Sequence, residues 1–200
     1  MVLAYHVIFG AYGFWLPNDP RGSWSDFVAA WELFQFGGPA TTTTERRSVA
    51  RKSHDRELRK ATKEHLKYPA VVFNDDQVTS IADGFSEMAK KSGYEVHACS
   101  IMPEHVHLVL GRFRYNVETM ARLLKSEASH RLNADGRHPM AAWPKGDGSL
   151  PTPWAEGCWK VFLNSHADIV RAIRYVENNP LKEGKPAQLW PFVVPFSPAS

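Results

Sequence analysis

Residues 101–110 contain two histidines one position apart within an otherwise apolar run. Such a run predicts a β-strand, in which successive side chains point to opposite faces. His105 and His107 would share one face, while Val106 and Leu108 would share the other. Neutral imidazole is a common ligand of divalent cations, so this strand predicts half of a metal site. Two partly exposed histidines on an open sheet face explain the motif about as well, because the chain has nine histidines.

Composition bounds the size and class of the protein. A chain of 200 residues with 44% hydrophobic content can bury one sizeable core, so we expect a single domain over residues 1–200. The formal net charge of +3 permits nucleic-acid binding without arguing for it. Cys99 and Cys158 match no zinc or disulfide pattern, which favours a reducing compartment. Without a recognisable signal peptide or membrane-length apolar run, a cytoplasmic protein with no membrane partner is expected.

The order of the predicted elements indicates an α+β fold. Strand, helix, strand, strand, helix, strand is the βαββαβ order of a ferredoxin-like sandwich, with helices on one face of an antiparallel sheet. The other face stays open for a ligand or for an extra C-terminal helix, and the two histidines would point there. The predicted strands cover residues 2–9, 94–101, 105–110 and 159–163, and the helices are capped by Asp75-Asp76, Asn116 and either Asn164 or Ser165.

An insertion at about residues 13–69 separates the first strand from the rest of this pattern. It begins with a turn-rich loop that carries two tryptophans, at 15–24, and continues into a basic segment at 45–67. That segment has nine basic side chains against four acidic ones. A solvated helical face is the simpler interpretation, although basic segments also contact phosphates.

The last predicted helix, at about 167–178, carries a tyrosine outside its apolar stripe. Tyr175 lies roughly 110° from the centre of that stripe, and Asn179 falls one turn later on the same side. Pro180 disfavours a helical conformation at Asn179, which makes Asn179 a candidate for the end of the helix. An amide oxygen there could complete the coordination of a cation, and a metal-polarised phosphate would lower the demand on a phenol as nucleophile. In isolation, an amphipathic tyrosine on a helix flank explains Tyr175 better.

Several motifs together resemble one known family. His105-Val106-His107 resembles the HUH motif of single-tyrosine transposases, and the segment from Tyr175 to Asn179-Pro180 resembles the Tyr-x-x-x-Asn-Pro segment of their REP-associated branch. Residues 102–104 and 15–22 also look like this family. The resemblance extends from the first strand to Pro180, and the combination of motifs is specific although each motif alone is not.

The resemblance implies a ferredoxin-like DNA transposase, a site-specific endonuclease that cuts and rejoins single-stranded DNA. It implies Tyr175 as the nucleophile, which would form a 5′-phosphotyrosine link and release a 3′-hydroxyl. It also implies a divalent cation, Mg²⁺ or Mn²⁺, held by His105, His107 and the helix amide of Asn179. A DNA substrate with a hairpin is expected from the same resemblance.

Two departures from the minimal insertion-sequence transposases leave questions open. By this resemblance, those enzymes are dimers whose two subunits exchange the helix that carries the tyrosine. The metal ligand near their tyrosine is a glutamine. Here the chain is longer and carries Asn179 in that place. The third ligand and the choice between monomer and homodimer therefore remain open at this point.

Basic side chains near the motifs are candidates for DNA contacts, since cations neutralise the phosphate backbone. They are Arg112, Arg114, Arg122, Lys125, Arg131, Arg171 and Arg174. For any one of them an ordinary surface charge is the simpler interpretation. His6, in the first strand, is either an accessory group near the metal or a satisfied sheet-face histidine, and the second interpretation is favoured.

Two rival functions remain. A ferredoxin-like sheet with aromatic side chains can bind single-stranded or hairpin DNA without cutting it, as in a domesticated transposase. A metal-dependent phosphodiesterase would use water as the nucleophile, and Tyr175 would then be incidental. The covalent link to tyrosine separates the transposase from both rivals.

Overall fold

A computed structural model describes residues 1–14 and 56–197, and its regular elements follow the predicted order. The strands are β1 (Ala4–Gly10), β2 (Val96–Ile101), β3 (His105–Gly111) and β4 (Trp159–Leu163). The helices are α1 (Arg56–Glu64), α2 (Asp75–Ser92), α3 (Val117–Ala134), α4 (His166–Glu177) and α5 (Asn179–Lys182). The Trp-rich loop, like much of the basic segment, lies outside the described residues, and α1 lies in the remainder of that segment.

The four strands form one antiparallel sheet in the order β2-β3-β1-β4. Together with α2 and α3 between the strands, this arrangement confirms the ferredoxin-like α+β prediction. β1 and β3 are the central strands. Their register places Ile8 opposite His107 and Gly10 opposite His105, which puts both histidines next to β1.

Local sequence signals explain where the helices begin. Asn74 caps α2 with its side chain accepting from the backbone N–H of Gln77, while the Gln77 side chain accepts from the backbone N–H of Asn74. The predicted cap at Asp75-Asp76 was wrong by one residue, because those carboxylates occupy the first helical turn instead. Asn116 caps α3 as predicted, and Ser165 caps α4.

Apolar side chains fill both faces of the sheet, but unequally. The face covered by α2 and α3 holds the larger cluster, whose largest fully buried members include Phe9, Phe85, Leu108 and Leu124. The face covered by α4 holds a smaller cluster that includes Ala4, Ala98, Val109, Ile169 and Val176. α4 therefore docks on the face that the sequence left open, which is the face of His105 and His107.

The C-terminal segment runs along the outer edge of β2. The backbone N–H of Val194 donates to the carbonyl of Val96, and the side chain of Gln188 bonds both the N–H and the carbonyl of Ile101. These bonds satisfy backbone groups on one edge of the sheet that would otherwise be available to another chain. None of the helices in the described ranges is long and apolar enough to cross a membrane.

Candidate active site

Three histidines meet on the α4 face of the sheet. His6 of β1 is the diagonal neighbour of His107 of β3, because Val109 is directly opposite His6 in the β1–β3 ladder. Nε2 of His6 lies 3.1 Å from Nδ1 of His107, within hydrogen-bond distance. Their rings stack with centroids 5.3 Å apart, and the ring of His105 meets that of His107 edge-on at 5.0 Å.

His105 sits at the start of β3, immediately after the turn at residues 102–104. Its carbonyl accepts from the backbone N–H of Met102, which closes that turn, and the ring of Phe14 stacks on its imidazole at 5.0 Å. A cleft of about 230 Å³ opens beside it. Besides His105, the lining residues are Phe14, Val72, Met102, Pro103, Glu104 and Glu183. The first histidine of the motif is thus held by an aromatic ring at the edge of an open cleft.

Helix α4 brings Tyr175 to these histidines within the same chain. The apolar side of the helix, with Ile169, Ala172 and Val176, is buried against the sheet, whereas Tyr175 is 47% exposed. The tyrosine ring approaches the rings of His6 and His107 edge-on, at 5.6 Å between centroids in each case. The phenol is therefore both next to the imidazoles and open to solvent, as an attacking group must be.

The short helix α5 adds two further side chains. Asn179 is its first residue, with only 8% of its surface exposed, and its side chain bonds to no other residue within the described part of the chain. Nζ of Lys182 lies 4.4 Å from the ring centroid of Tyr175. The sequence analysis missed Lys182, although the spacing 175, 179, 182 repeats at helical intervals and could have indicated it.

Burial keeps the imidazoles of His6 and His107 neutral and the phenol of Tyr175 protonated at neutral pH. It lowers the pKa of His6 to about 4, and it lowers the pKa of His107 well below its usual range, with smaller contributions from neighbouring His105, His6 and Lys182. Burial also raises the pKa of Tyr175, and the negative charge of Glu183 acts in the same direction. The imidazoles of His6 and His107 accordingly each have a lone pair available, while the phenol must lose its proton during any attack.

The donor set fits a divalent cation only if an amide takes part. Within residues 1–14 and 56–197, no three His, Cys, Asp or Glu side chains are grouped so as to hold a metal ion. A site that uses His105 and His107 would need the amide oxygen of Asn179 as its third protein ligand. That amide is buried near Tyr175 in the chain and is not engaged by another described side chain, so the chemistry of the set is suitable.

The predicted DNA-contacting residues are not gathered around the histidines. Arg112 and Arg114 follow the far end of β3, about 20 Å along the strand from His105, and Arg114 packs over the rings of Phe113 and Tyr115. Arg171 and Arg174 lie on α4 with Tyr175, both exposed, and Arg171 pairs with Asp168. A role in DNA binding remains a prediction for all four.

The three cations of α3 lie on the opposite side of the sheet from the histidines. Nζ of Lys125 donates to the carbonyls of Ala155 and Gly157 at 2.9 Å, and burial lowers its pKa. Arg131 forms ion pairs, with Asp83, Glu87 and Asp135. Arg122 is exposed. Lys125 and Arg131 thus have structural partners within the protein, and their predicted DNA contacts remain untested.

Two solved structures are similar over most of the chain. The first is a candidate transposase from Deinococcus radiodurans R1, with 17% identity, a TM-score of 0.44, and coverage of 89% of this chain and 91% of that one. The second is a REP-associated tyrosine transposase bound to a REP hairpin, with 15% identity, a TM-score of 0.47, and coverage of 95% and 74%. A search of curated proteins found no match.

The assignment rests on a family model rather than on these distant likenesses. The model for IS200-like transposases matches residues 65–179, a span that includes the histidine strand, α4 with Tyr175, and Asn179. This span is more than half of the 200 residues. The chain therefore belongs to the IS200-like transposase family.

Proposed function

We propose that this transposase cleaves and rejoins single-stranded DNA through a 5′-phosphotyrosine intermediate at Tyr175. The observation that carries the proposal is the position of the phenol, whose ring lies 5.6 Å from the rings of both His6 and His107 in one chain. Membership of a transposase family supports DNA strand transfer as the overall reaction. The partial exposure of Tyr175 gives a DNA strand access to the nucleophile.

The cation of this proposal is Mg²⁺ or Mn²⁺, held by His105, His107 and Asn179. When bound, it supplies Lewis-acid polarisation of a non-bridging oxygen of the scissile phosphate. The protein contributes two imidazoles at a spacing that the strand fixes, and burial keeps that of His107 neutral by lowering its pKa. Ring contacts with Phe14 and Tyr175 hold the histidines in place.

In the covalent step, the phenolic oxygen of Tyr175 attacks phosphorus and the bond from phosphorus to the 3′-oxygen breaks. The leaving 3′-oxygen takes up a proton and becomes a hydroxyl, while the phenol releases its own proton to solvent. The DNA on the 3′ side of the cut stays attached to the protein through its 5′-phosphate. Attack by the 3′-hydroxyl of another strand reverses these changes, so rejoining needs no nucleotide cofactor.

Cations on the same side of the protein would bind the DNA backbone. Lys182 is exposed and lies over the ring of Tyr175, which places a positive charge next to the phosphate that the phenol attacks. Arg171 precedes Tyr175 by one helical turn and is also exposed. We assign these two side chains to the phosphates nearest the cut.

We also propose that the protein acts as a monomer. Tyr175 reaches the histidines from α4 of the same chain, so exchange of this helix between subunits is not needed to build the site. The edge of β2 is taken by the C-terminal segment, which leaves that edge unavailable for pairing with a second sheet.

The test is capture of the covalent adduct on hairpin-containing single-stranded DNA in the presence of Mn²⁺. We expect a label at the 3′ end of the DNA to travel with the protein on a denaturing gel, and a label at the 5′ end to leave on a shorter strand. Tyr175→Phe should abolish the adduct. Tyr115→Phe is the matched control, because Tyr115 is also partly exposed but packs against Phe113 at the other end of β3.

The outcomes separate the rival functions. Cleavage that survives Tyr175→Phe would instead indicate hydrolysis by water. DNA binding with neither cleavage nor adduct, in Mn²⁺ or in Mg²⁺, would indicate a non-catalytic DNA-binding protein.

A further inference from the structure

We propose that His6 is a positioning residue that sets the tautomer of His107. In this arrangement, Nδ1–H of His107 donates to Nε2 of His6, and the lone pair on Nε2 of His107 is left for the cation. The inference rests on the proposed metal site, which it deepens by giving His6 a role. No residue of the Tyr175 segment or of the histidine motif supplies this hydrogen bond.

The geometry limits the bond to these two nitrogens. Nε2 of His6 and Nδ1 of His107 lie 3.1 Å apart, and the two rings stack with an interplanar angle of 26°. His6 lies in β1, which is hydrogen-bonded to β3 on one side and to β4 on the other. The backbone of His6 therefore cannot move away from His107 without disturbing the sheet. On the open side, the ring of Tyr175 meets His6 edge-on at 5.6 Å.

The direction of the bond decides whether His107 can bind a cation. A neutral imidazole has one N–H and one lone pair, so a hydrogen on Nδ1 leaves Nε2 as the only possible ligand atom. If His6 donated instead, Nε2 of His107 would carry the hydrogen and could not coordinate. Ligating histidines generally donate their second ring nitrogen to an acceptor, which fixes both tautomer and ring orientation.

Only 5% of the surface of His107 is exposed, and burial disfavours a charged imidazole, which supports a neutral pair. Because Nε2 of His6 accepts this bond, Nδ1 of His6 carries its hydrogen, so His6 could bind a cation directly only if the bond ran in the opposite direction. If His6 only positions His107, substitutions that keep a hydrogen-bond acceptor should preserve cation binding. If His6 is itself a ligand, such substitutions should weaken it. Glutamine at position 6 places an amide oxygen about where Nε2 lies and keeps an acceptor, whereas phenylalanine keeps a ring without one.

The experiment consists of two measurements, an NMR spectrum of the metal-free protein and a titration with Mn²⁺. Neither measurement needs DNA. Long-range ¹H–¹⁵N NMR of the metal-free wild-type protein, with His107 assigned by comparison with His107→Gln, should show the Nδ1–H tautomer for His107. Electron paramagnetic resonance titration with Mn²⁺ should show affinity about 10- to 100-fold weaker in His6→Phe. His6→Gln should return to within about threefold of the wild-type affinity. Thermal unfolding of each variant checks that the fold is retained.

Each outcome decides one point. An Nε2–H tautomer for His107 in the wild-type protein would overturn the inference, even if His6→Phe does not fold. Equal Mn²⁺ affinity in wild type and His6→Phe would overturn the role of His6 while leaving the metal site intact. Equal loss in His6→Phe and His6→Gln would make His6 a ligand instead of a positioning residue. A wild-type protein that binds no Mn²⁺ would overturn the metal site itself, and with it this role of His6.

Discussion

The two faces of the sheet differ in what they bury: one buries mainly large apolar side chains, and the other combines a smaller apolar cluster with histidines. On the face of α2 and α3, large apolar side chains such as Phe85 and Leu124 are fully buried. On the face of α4, the apolar cluster is smaller and includes small residues such as Ala4 and Ala98, and three histidines lie beside it. The first face provides most of the hydrophobic stabilisation, which leaves the second free to hold polar groups close together.

This contrast predicts that substitutions on the two faces separate stability from chemistry. The largest effect is expected for Phe85→Ala, because Phe85 is fully buried and packs edge-on against Phe9 with ring centroids 6.1 Å apart. The loss in free energy of unfolding should be about 3–5 kcal/mol, measured by urea denaturation. Phe162→Ala makes the same chemical change at a side chain that is 50% exposed, and should cost no more than about 1 kcal/mol. Phe162 is opposite Tyr5 on the same face of the sheet, so equal losses would show that burial beneath α2 and α3 is not the main source of stability.

The next effect is a pH dependence that comes from the α4 face. Burial lowers the pKa of His6 to about 4 and holds that of His107 well below its usual range. The unfolded chain therefore binds more protons below about pH 6.5, and the free energy of unfolding should fall as the pH drops from 6.5 towards 4. His6 alone would contribute about 3 kcal/mol at most.

Denaturation of the metal-free protein at several pH values measures this slope. His6→Gln removes one of the two titrating groups, so its stability should decline less steeply over the same range. A slope unchanged by that substitution would show that His6 does not contribute and would assign the pH dependence to other titrating groups.

A smaller effect is expected where α2 and α3 cross. A Cβ atom at Gly84 would lie 2.7 Å from Cα of Ala128, which is backbone and cannot turn aside. Gly84→Ala should push the helices apart and lower the free energy of unfolding by about 1–2 kcal/mol, even though alanine favours a helix more than glycine does. Gly146→Ala meets no atom within 4 Å and serves as the control. If Gly84→Ala left the free energy of unfolding unchanged, the two helices would be able to move apart without loss of packing.

The smallest effect on stability is expected for Tyr175→Phe. The hydroxyl is on a side chain that is 47% exposed, so its removal should change the free energy of unfolding by less than about 0.5 kcal/mol. The same variant should form no covalent DNA adduct. Thermal denaturation and the adduct assay on one preparation measure both quantities. If Tyr175→Phe instead lost much stability, the missing adduct could reflect unfolding. That result would contradict the view that the α4 face serves the reaction more than the stability of the fold.

The order of the elements and the two faces of β3 could be predicted from the sequence. Alternation places His105 and His107 on the side opposite Leu108, and the apolar stripe of α4 leaves Tyr175 outside it. These are local patterns, since they depend on the period of a strand or helix and on capping residues such as Asn116. The resemblance to a transposase family then added roles for the same residues.

Contacts between distant parts of the chain were decided only by tertiary structure. His6 and His107 are 101 residues apart, and their hydrogen bond exists because β1 pairs with β3 in one particular register. Lys125 resembles a surface cation in the sequence, yet the packing of α3 turns it towards the carbonyls of Ala155 and Gly157. Periodicity shows which face a side chain occupies, whereas its partner depends on which surfaces come together when the chain folds.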